Sequence, residues 1–166
     1  EDIMEGVDAV IVSHTHLDHW DDAAQELLPK GIHLFAQDES DAQIIRTQGF
    51  TNVHILGENT VFEGVHLTKT GGQHGTDAMY SIPELAKTLG EAMGVAFQAP
   101  GSKTVYIAGD TVWNSEVDRV LAKFKPEVII LNTGDARLEG LSGSIIMGKD
   151  DTLHAHQAAP NATIIA

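Results

Sequence analysis

There is no cysteine in this chain, so neither a disulfide framework nor a thiolate metal ligand is available to it. Basic residues are scarce as well: 10 Lys and Arg face 24 Asp and Glu, a formal net charge of -14. A mean field of that sign repels phosphate backbones and anionic lipid, which argues against nucleic acid or a membrane surface as a partner. Two bound divalent cations would reverse the sign locally, where the overall sum does not register them. No stretch approaches the roughly 20 apolar residues that span a bilayer, and the longest runs, such as Val128–Leu131, suit buried strands. The opening Glu-Asp-Ile-Met holds neither an initiator Met nor a signal-peptide h-region, and Asn161-Ala-Thr-Ile-Ile-Ala166 looks like a strand cut partway. Further sequence is therefore expected beyond both ends. The expected setting is cytoplasmic, with a small-molecule substrate and a homo-oligomer allowed.

What is present is a chain of 166 residues, 42% hydrophobic, enough for one substantial core and read as a single domain over 1–166. Val- and Ile-rich runs alternate with amphipathic stretches, and Gly, Pro or Asp marks the joints, the pattern of an α/β fold. Strands are expected at Val7–Ser13, Ile32–Ala36, Val53–Leu56, Val61–Thr68, Gly94–Gln98, Thr104–Ala108, Glu127–Leu131 and Thr163–Ala166. Helices are expected at Asp21–Leu28, Glu39–Gln48, Ser81–Leu89 with Pro83 in its first turn, Ser115–Phe124 and Lys149–Gln157.

With sulfur absent, the 9 histidines carry the information. Ser13-His14-Thr15-His16-Leu17-Asp18-His19-Trp20 follows directly on the first strand and places His14, His16, Asp18 and His19 within six residues. On a regular strand, alternation would gather the first three and send His19 to the other face. A loop turning toward a helix removes that restriction, so that one pair of ligands can serve one ion and the second pair another. Imidazole and carboxylate donors suit zinc, with manganese and iron as alternatives. The competing interpretation is a His-rich solvated turn.

His-x-His-x-Asp-His after a strand resembles the motif of the metallo-β-lactamase superfamily. The resemblance implies a four-layer αββα sandwich, here incomplete at both termini, with a dinuclear site along one edge. It assigns His14 and His16 to the first ion and Asp18 and His19 to the second. The lone His of the family matches His74 in Gly71-Gly-Gln-His-Gly75, where the glycines permit a close loop approach. The bridging carboxylate matches Asp110 in Tyr106-Ile-Ala-Gly-Asp-Thr111; an Asp there could also cap the following helix, but the Gly-Asp-Thr context and the order along the chain favour the ligand. The family's final His follows a late strand, which Thr163–Ala166 matches, so that ligand is expected beyond Ala166. His154 and His156 are poor substitutes because residues i and i+2 of a helix face different ways. His33, His54 and His66 fall within strands and are read as packing or surface residues.

Three features narrow the resemblance. The lack of Cys excludes the thiolate-using lactamases, and His16 stands where the diiron flavoprotein branch has Glu. The Gly-Gly-Gln-His-Gly and Gly-Asp-Thr contexts are most similar to the branch containing ascorbate-6-phosphate lactonase. The implied function is a hydrolase that uses a metal-bound hydroxide on a lactone, ester or amide, with Asp18 and Asp110 as catalytic carboxylates. A phosphodiesterase or nuclease of the same fold and a non-catalytic metal-binding module are the alternatives. Trp20, Tyr80, Asn132 and Asp135 are candidates for substrate contact, against the ordinary expectation that such residues pack or cap loops.

Overall fold

The computed structural model describes residues 5–166, so the Glu1–Met4 opening lies outside the described residues. They divide into two compact units, one running to Gly57 and the other from Glu58. Each unit has its own sheet and its own helices, and the α/β class expected from the pattern holds in both. No helix among the described residues is long and apolar enough to cross a membrane.

In the first unit β1 (Ala9–Val12), α1 (Asp22–Leu27), β2 (His33–Ala36), α2 (Glu39–Thr47) and β3 (Val53–Ile55) follow one another. The three strands pair in parallel in the order β1-β2-β3. Parallel neighbours need a crossover, and the two helices supply it. Both helices start on an acidic cap: Asp21 accepts the Ala24 N–H at 2.7 Å and Asp38 that of Asp41 at 2.9 Å. Val12, Trp20, Leu34, Ala42, Ile45 and Phe50 make the core of this unit.

The second unit contains β4 (Thr60–Phe62), β5 (Val65–Thr70), α3 (Asp77–Tyr80), α4 (Pro83–Leu89), β6 (Gly94–Gln98), β7 (Val105–Ile107), α5 (Ser115–Phe124), β8 (Val128–Ile130), α6 (Lys149–Ala158) and β9 (Thr163–Ile165). Its six strands lie in chain order, antiparallel from β4 to β7 and parallel from β7 to β9. β5 and β7 both oppose β6 and therefore run the same way, and β8 follows β7. The carboxyl ends of β5, β7 and β8 consequently share one edge of the sheet, which gathers there the loops that follow them. The apolar stripe of α5, Val117, Val120 and Leu121, packs with Tyr106, Ile129 and Met147, the i, i+3, i+4 spacing that puts side chains on one helix face.

Two expectations are corrected. The strand read over Val61–Thr68 is two strands, because Phe62 pairs with Val65 across a two-residue turn. Its central residues Glu63 and Gly64 both have positive φ, 47° and 80°, the backbone that a tight hairpin turn of primed type demands. Glycine takes that conformation freely, but Glu63 does not. Glu63→Asn is therefore expected to stabilise the protein by about 0.5–1 kcal/mol in urea unfolding, whereas Glu63→Val should destabilise it. The second correction is to the helix expected at Ser81–Leu89, which begins at Pro83 and is preceded by α3, a single turn capped by Thr76, where no element was expected.

Buried Tyr106 has its phenol pushed up to about 12, chiefly by burial, with the Thr70 hydroxyl opposing and the Glu116 charge adding to the rise. A folded-state value above the unfolded one means that this contribution to stability is complete below pH 10 and fades as pH climbs toward 12. Unfolding free energy measured against pH should fall less steeply over that window in Tyr106→Phe than in the parent.

Candidate metal centre

The two units carry metal-competent side chains on loops that follow strands, and the local bonding of each loop is distinct. In the first unit β1 stops at Val12 and the chain turns at once: the N–H groups of His19 and Trp20 both donate to the His16 carbonyl, at 2.9 and 2.8 Å. That turn removes the alternation of a strand. The His14 ring then stands against both His16 and His19, with centroids 4.4 and 4.2 Å apart. Two imidazoles thus gather around His14, which is buried, while Asp18 is exposed with Oδ2 3.6 Å from His19 Nε2.

The cluster is braced from behind. Thr15, between the first two histidines, donates its hydroxyl to Asp41 Oδ1 at 2.6 Å, and Gln37 Nε2 donates to Asp41 Oδ2 at 2.7 Å. Asp41 is a buried carboxylate in the first turn of α2, where the positive end of the helix favours it. Sequence reasoning did not single out Asp41, whose place after the Asp38 cap reads as an ordinary helix start. Ser13 Oγ lies 3.1 Å from His14 Nδ1.

In the second unit the loop after β5 carries His74, the loop after β7 carries Asp110, and Asn132 lies just past β8. His74 and Asp110 are both buried, with Nε2 and Oδ2 3.9 Å apart. The His74 Nδ1 donates to the Ile145 carbonyl at 2.8 Å. A carbonyl can only accept, so in the neutral ring the proton sits on Nδ1 and Nε2 keeps its lone pair. Asn132 Nδ2 donates to Asp110 Oδ1 at 2.6 Å. Each group has one heteroatom held by the protein and the other turned toward its neighbour, the arrangement in which outer partners orient metal ligands. Asp110 does not cap a helix, since Asn114 caps α5 by accepting the Glu116 and Val117 N–H groups.

The loops are held tightly. Gly109 has φ +70°, and a Cβ built there would lie 2.4 Å from the Met93 carbonyl oxygen, so only glycine fits ahead of Asp110. Thr111, fully buried, accepts the Gln73 N–H at 2.9 Å and donates to the Val112 carbonyl at 2.8 Å, while the Val112 N–H donates to the Gln73 carbonyl at 2.9 Å. Tyr80 ends α3 and is also a brace: its hydroxyl accepts the His74 N–H at 3.2 Å and donates to the Gly90 carbonyl at 2.7 Å. Its phenol is raised above the usual value by burial, with the His74 N–H opposing and the charge of Glu91 adding to the rise.

The other expected substrate contacts fall out differently. Trp20 is a core residue, edge-to-face with Phe50 at 5.3 Å and donating Nε1 to Gln48 Oε1 at 2.7 Å. That is the packing alternative for an aromatic beside such a motif. Asp135 is half-exposed, has φ 48° and pairs with Arg137 at 3.0 Å. His33, His54 and His66 are surface residues, the first two stacked 6.0 Å apart. His154 is exposed and stacks on Trp113 at 4.1 Å, and His156 is also exposed.

The donor set of both loops is nitrogen and oxygen only, and it fits zinc or manganese without choosing between them. Residues 1–166 match the family described as the beta-lactamase superfamily domain. The UPF0173 protein YddR of Bacillus subtilis (strain 168) is 46% identical over 166 residues, 100% of this chain and 63% of the relative. The crystal structure of a possible metal-dependent hydrolase from Veillonella parvula DSM 2008 superimposes with a TM-score of 0.94 at 49% identity, over 95% of this chain and 60% of that one. That of an isothiocyanate hydrolase from Delia radicum gut bacteria gives a TM-score of 0.91 at 49% identity, over 96% and 61%. The chain therefore spans about three-fifths of the length of these relatives, between 60% and 63%. With the motif, the loop chemistry and the fold in agreement over its whole length, this chain belongs to the β-lactamase superfamily.

Proposed function

We propose that this chain forms the metal-holding part of a dinuclear metal-dependent hydrolase acting on a small molecule with an electrophilic carbon. The observation that carries the reading is the paired restraint in the second unit. Ile145 fixes the His74 tautomer and Asn132 fixes the Asp110 carboxylate, leaving Nε2 and Oδ2 side by side at 3.9 Å. By the family resemblance, His14, His16, Asp18 and His19 of the first unit and His74 and Asp110 of the second would be the residues that hold the metal. A bound divalent cation supplies a Lewis acid and brings the pKa of water close to neutrality. The residues do the rest. Asp110 accepts a hydrogen bond from the attacking water and orients it, and His74, held at Nδ1 by the Ile145 carbonyl, presents its Nε2 in a fixed direction.

The proposed substrate is a lactone, ester or amide, or the N=C=S carbon of an isothiocyanate, the group named for one relative of 49% identity. In each, the water oxygen bonds to the electrophilic carbon, loses its proton, and a π electron pair moves onto the neighbouring heteroatom. In a lactone, ester or amide the C–O or C–N bond then breaks and the proton passes to the leaving oxygen or nitrogen. In an isothiocyanate the proton passes to nitrogen, and the thiocarbamic acid so formed breaks down to amine and carbonyl sulfide. The chemistry asks the same of the site. A phosphodiester backbone is a poor candidate, because the net charge of -14 repels it.

Metal content and hydrolysis of an ester, lactone, amide, isothiocyanate and DNA panel test the reading, run on the protein and on a His16→Ala, Asp18→Ala double variant. Bound zinc or manganese together with small-molecule turnover, both lost in the double variant, is the expected result. A double variant that keeps its metal and its activity overturns the site assignment. Metal without turnover would mark a binding module, and DNA cleavage alone a nuclease.

A further inference from the structure

The Asp110 and His74 loops meet at one buried hydroxyl. Thr111, 1% exposed, accepts the Gln73 N–H at 2.9 Å and donates to the Val112 carbonyl at 2.8 Å. A second bond, from the Val112 N–H to the Gln73 carbonyl at 2.9 Å, closes a ring between the two segments. Gln73 immediately precedes His74 and Thr111 immediately follows Asp110, so this ring sits one residue behind each candidate ligand. Gln73 is held further by its own amide, which donates to the Gly75 carbonyl and to Asp77 Oδ1, both at 2.9 Å.

The side chains of His74 and Asp110 are each aimed by a bond at the far heteroatom, to Ile145 and Asn132. Those bonds set direction. They do not set the spacing of the two backbones, and a metal tolerates errors of only a few tenths of an ångström in its ligand distances. We infer that Thr111 is a positioning residue that, through its hydroxyl, fixes the separation of the His74 and Asp110 loops and thereby the metal affinity of the pair. The inference rests on the proposed metal-dependent reading and deepens it, since it gives the threonine of Gly-Asp-Thr a role that the ligand set itself leaves unassigned.

Valine matches threonine in shape but can neither accept from Gln73 nor donate to Val112. Serine keeps the hydroxyl and loses only the methyl. Cobalt(II) titration of metal-free protein, followed by visible absorption and chelator competition, reads the site directly without turnover. Thr111→Val should bind cobalt about 10- to 100-fold more weakly, with altered d–d bands, and Thr111→Ser should bind like the parent. Melting of the metal-free forms identifies any variant that fails to fold. A folded Thr111→Val with parental affinity and spectrum overturns the inference. Should the valine form not fold, Thr111→Ser decides: parental affinity supports the hydroxyl role, and weakened binding assigns the residue to packing instead. Failure of the parent itself to bind cobalt would sink the metal-dependent reading, which is a separate outcome.

Discussion

Replacing Asp110 with asparagine should cut kcat/KM on the best substrate of the panel by about 10³-fold, equivalent to about 4 kcal/mol of transition-state stabilisation, without unfolding the protein. The new side chain has the volume and planarity of the old one, so the loop packing around Gly109 and Thr111 survives. What disappears is a negative charge in a buried position, next to the lone pair of His74. Asn132 donates at 2.6 Å to Asp110 Oδ1, and the other oxygen, Oδ2, lies 3.9 Å from His74 Nε2. An amide at position 110 binds a cation far more weakly and orients water less well. Metal content of the variant should fall together with the rate. Parental kcat/KM in a protein with parental metal content would remove Asp110 from the proposed machinery.

A second large effect is expected on stability. Trp20 is the largest side chain in the core of the first unit, 2% exposed, with its ring against Phe50 and its N–H on Gln48. Trp20→Ala removes that packing, leaves a cavity beside Phe50 in the core of the unit, and removes the donor to the Gln48 amide oxygen. The loss should be about 3–5 kcal/mol in urea unfolding, with Trp20→Phe costing less because it refills most of the volume. Trp20 also closes the turn whose backbone ties it to His16 at 2.8 Å. The folded fraction of the alanine variant should therefore bind metal less tightly as well. A variant as stable as the parent would show that the aromatic beside the motif is not a core residue.

The sequence makes the candidate ligand residues legible and hides what holds them. His14, His16, Asp18 and His19 announce themselves by spacing, and the expectation that a loop frees His19 from strand alternation is met by the turn at His16. Val/Ile runs mark β6, β7 and β8 within a residue at each end, and the helix expected at Ser115–Phe124 is α5 to the residue. The break at Glu63-Gly64 escaped because glutamate is an unusual residue for a left-handed turn position, so the usual Asn-Gly cue is missing. The four-residue α3 is too short for any periodicity to register. Ile145 offers only a backbone carbonyl, 71 residues from the histidine that it orients, and no side-chain pattern encodes such a partner. Asn132 and Tyr80 are expected from the sequence as substrate contacts, and the structure shows instead what they hydrogen-bond. Both bond to Asp110 or His74, as braces of the candidate ligands.

The measurement closest to the central claim is anomalous diffraction at the zinc or manganese edge from metal-loaded crystals. Ions held within about 2.0–2.2 Å of His74 Nε2 and Asp110 Oδ2, and by the histidines of residues 14–19, are the predicted outcome. Anomalous peaks that none of these side chains touch would contradict it.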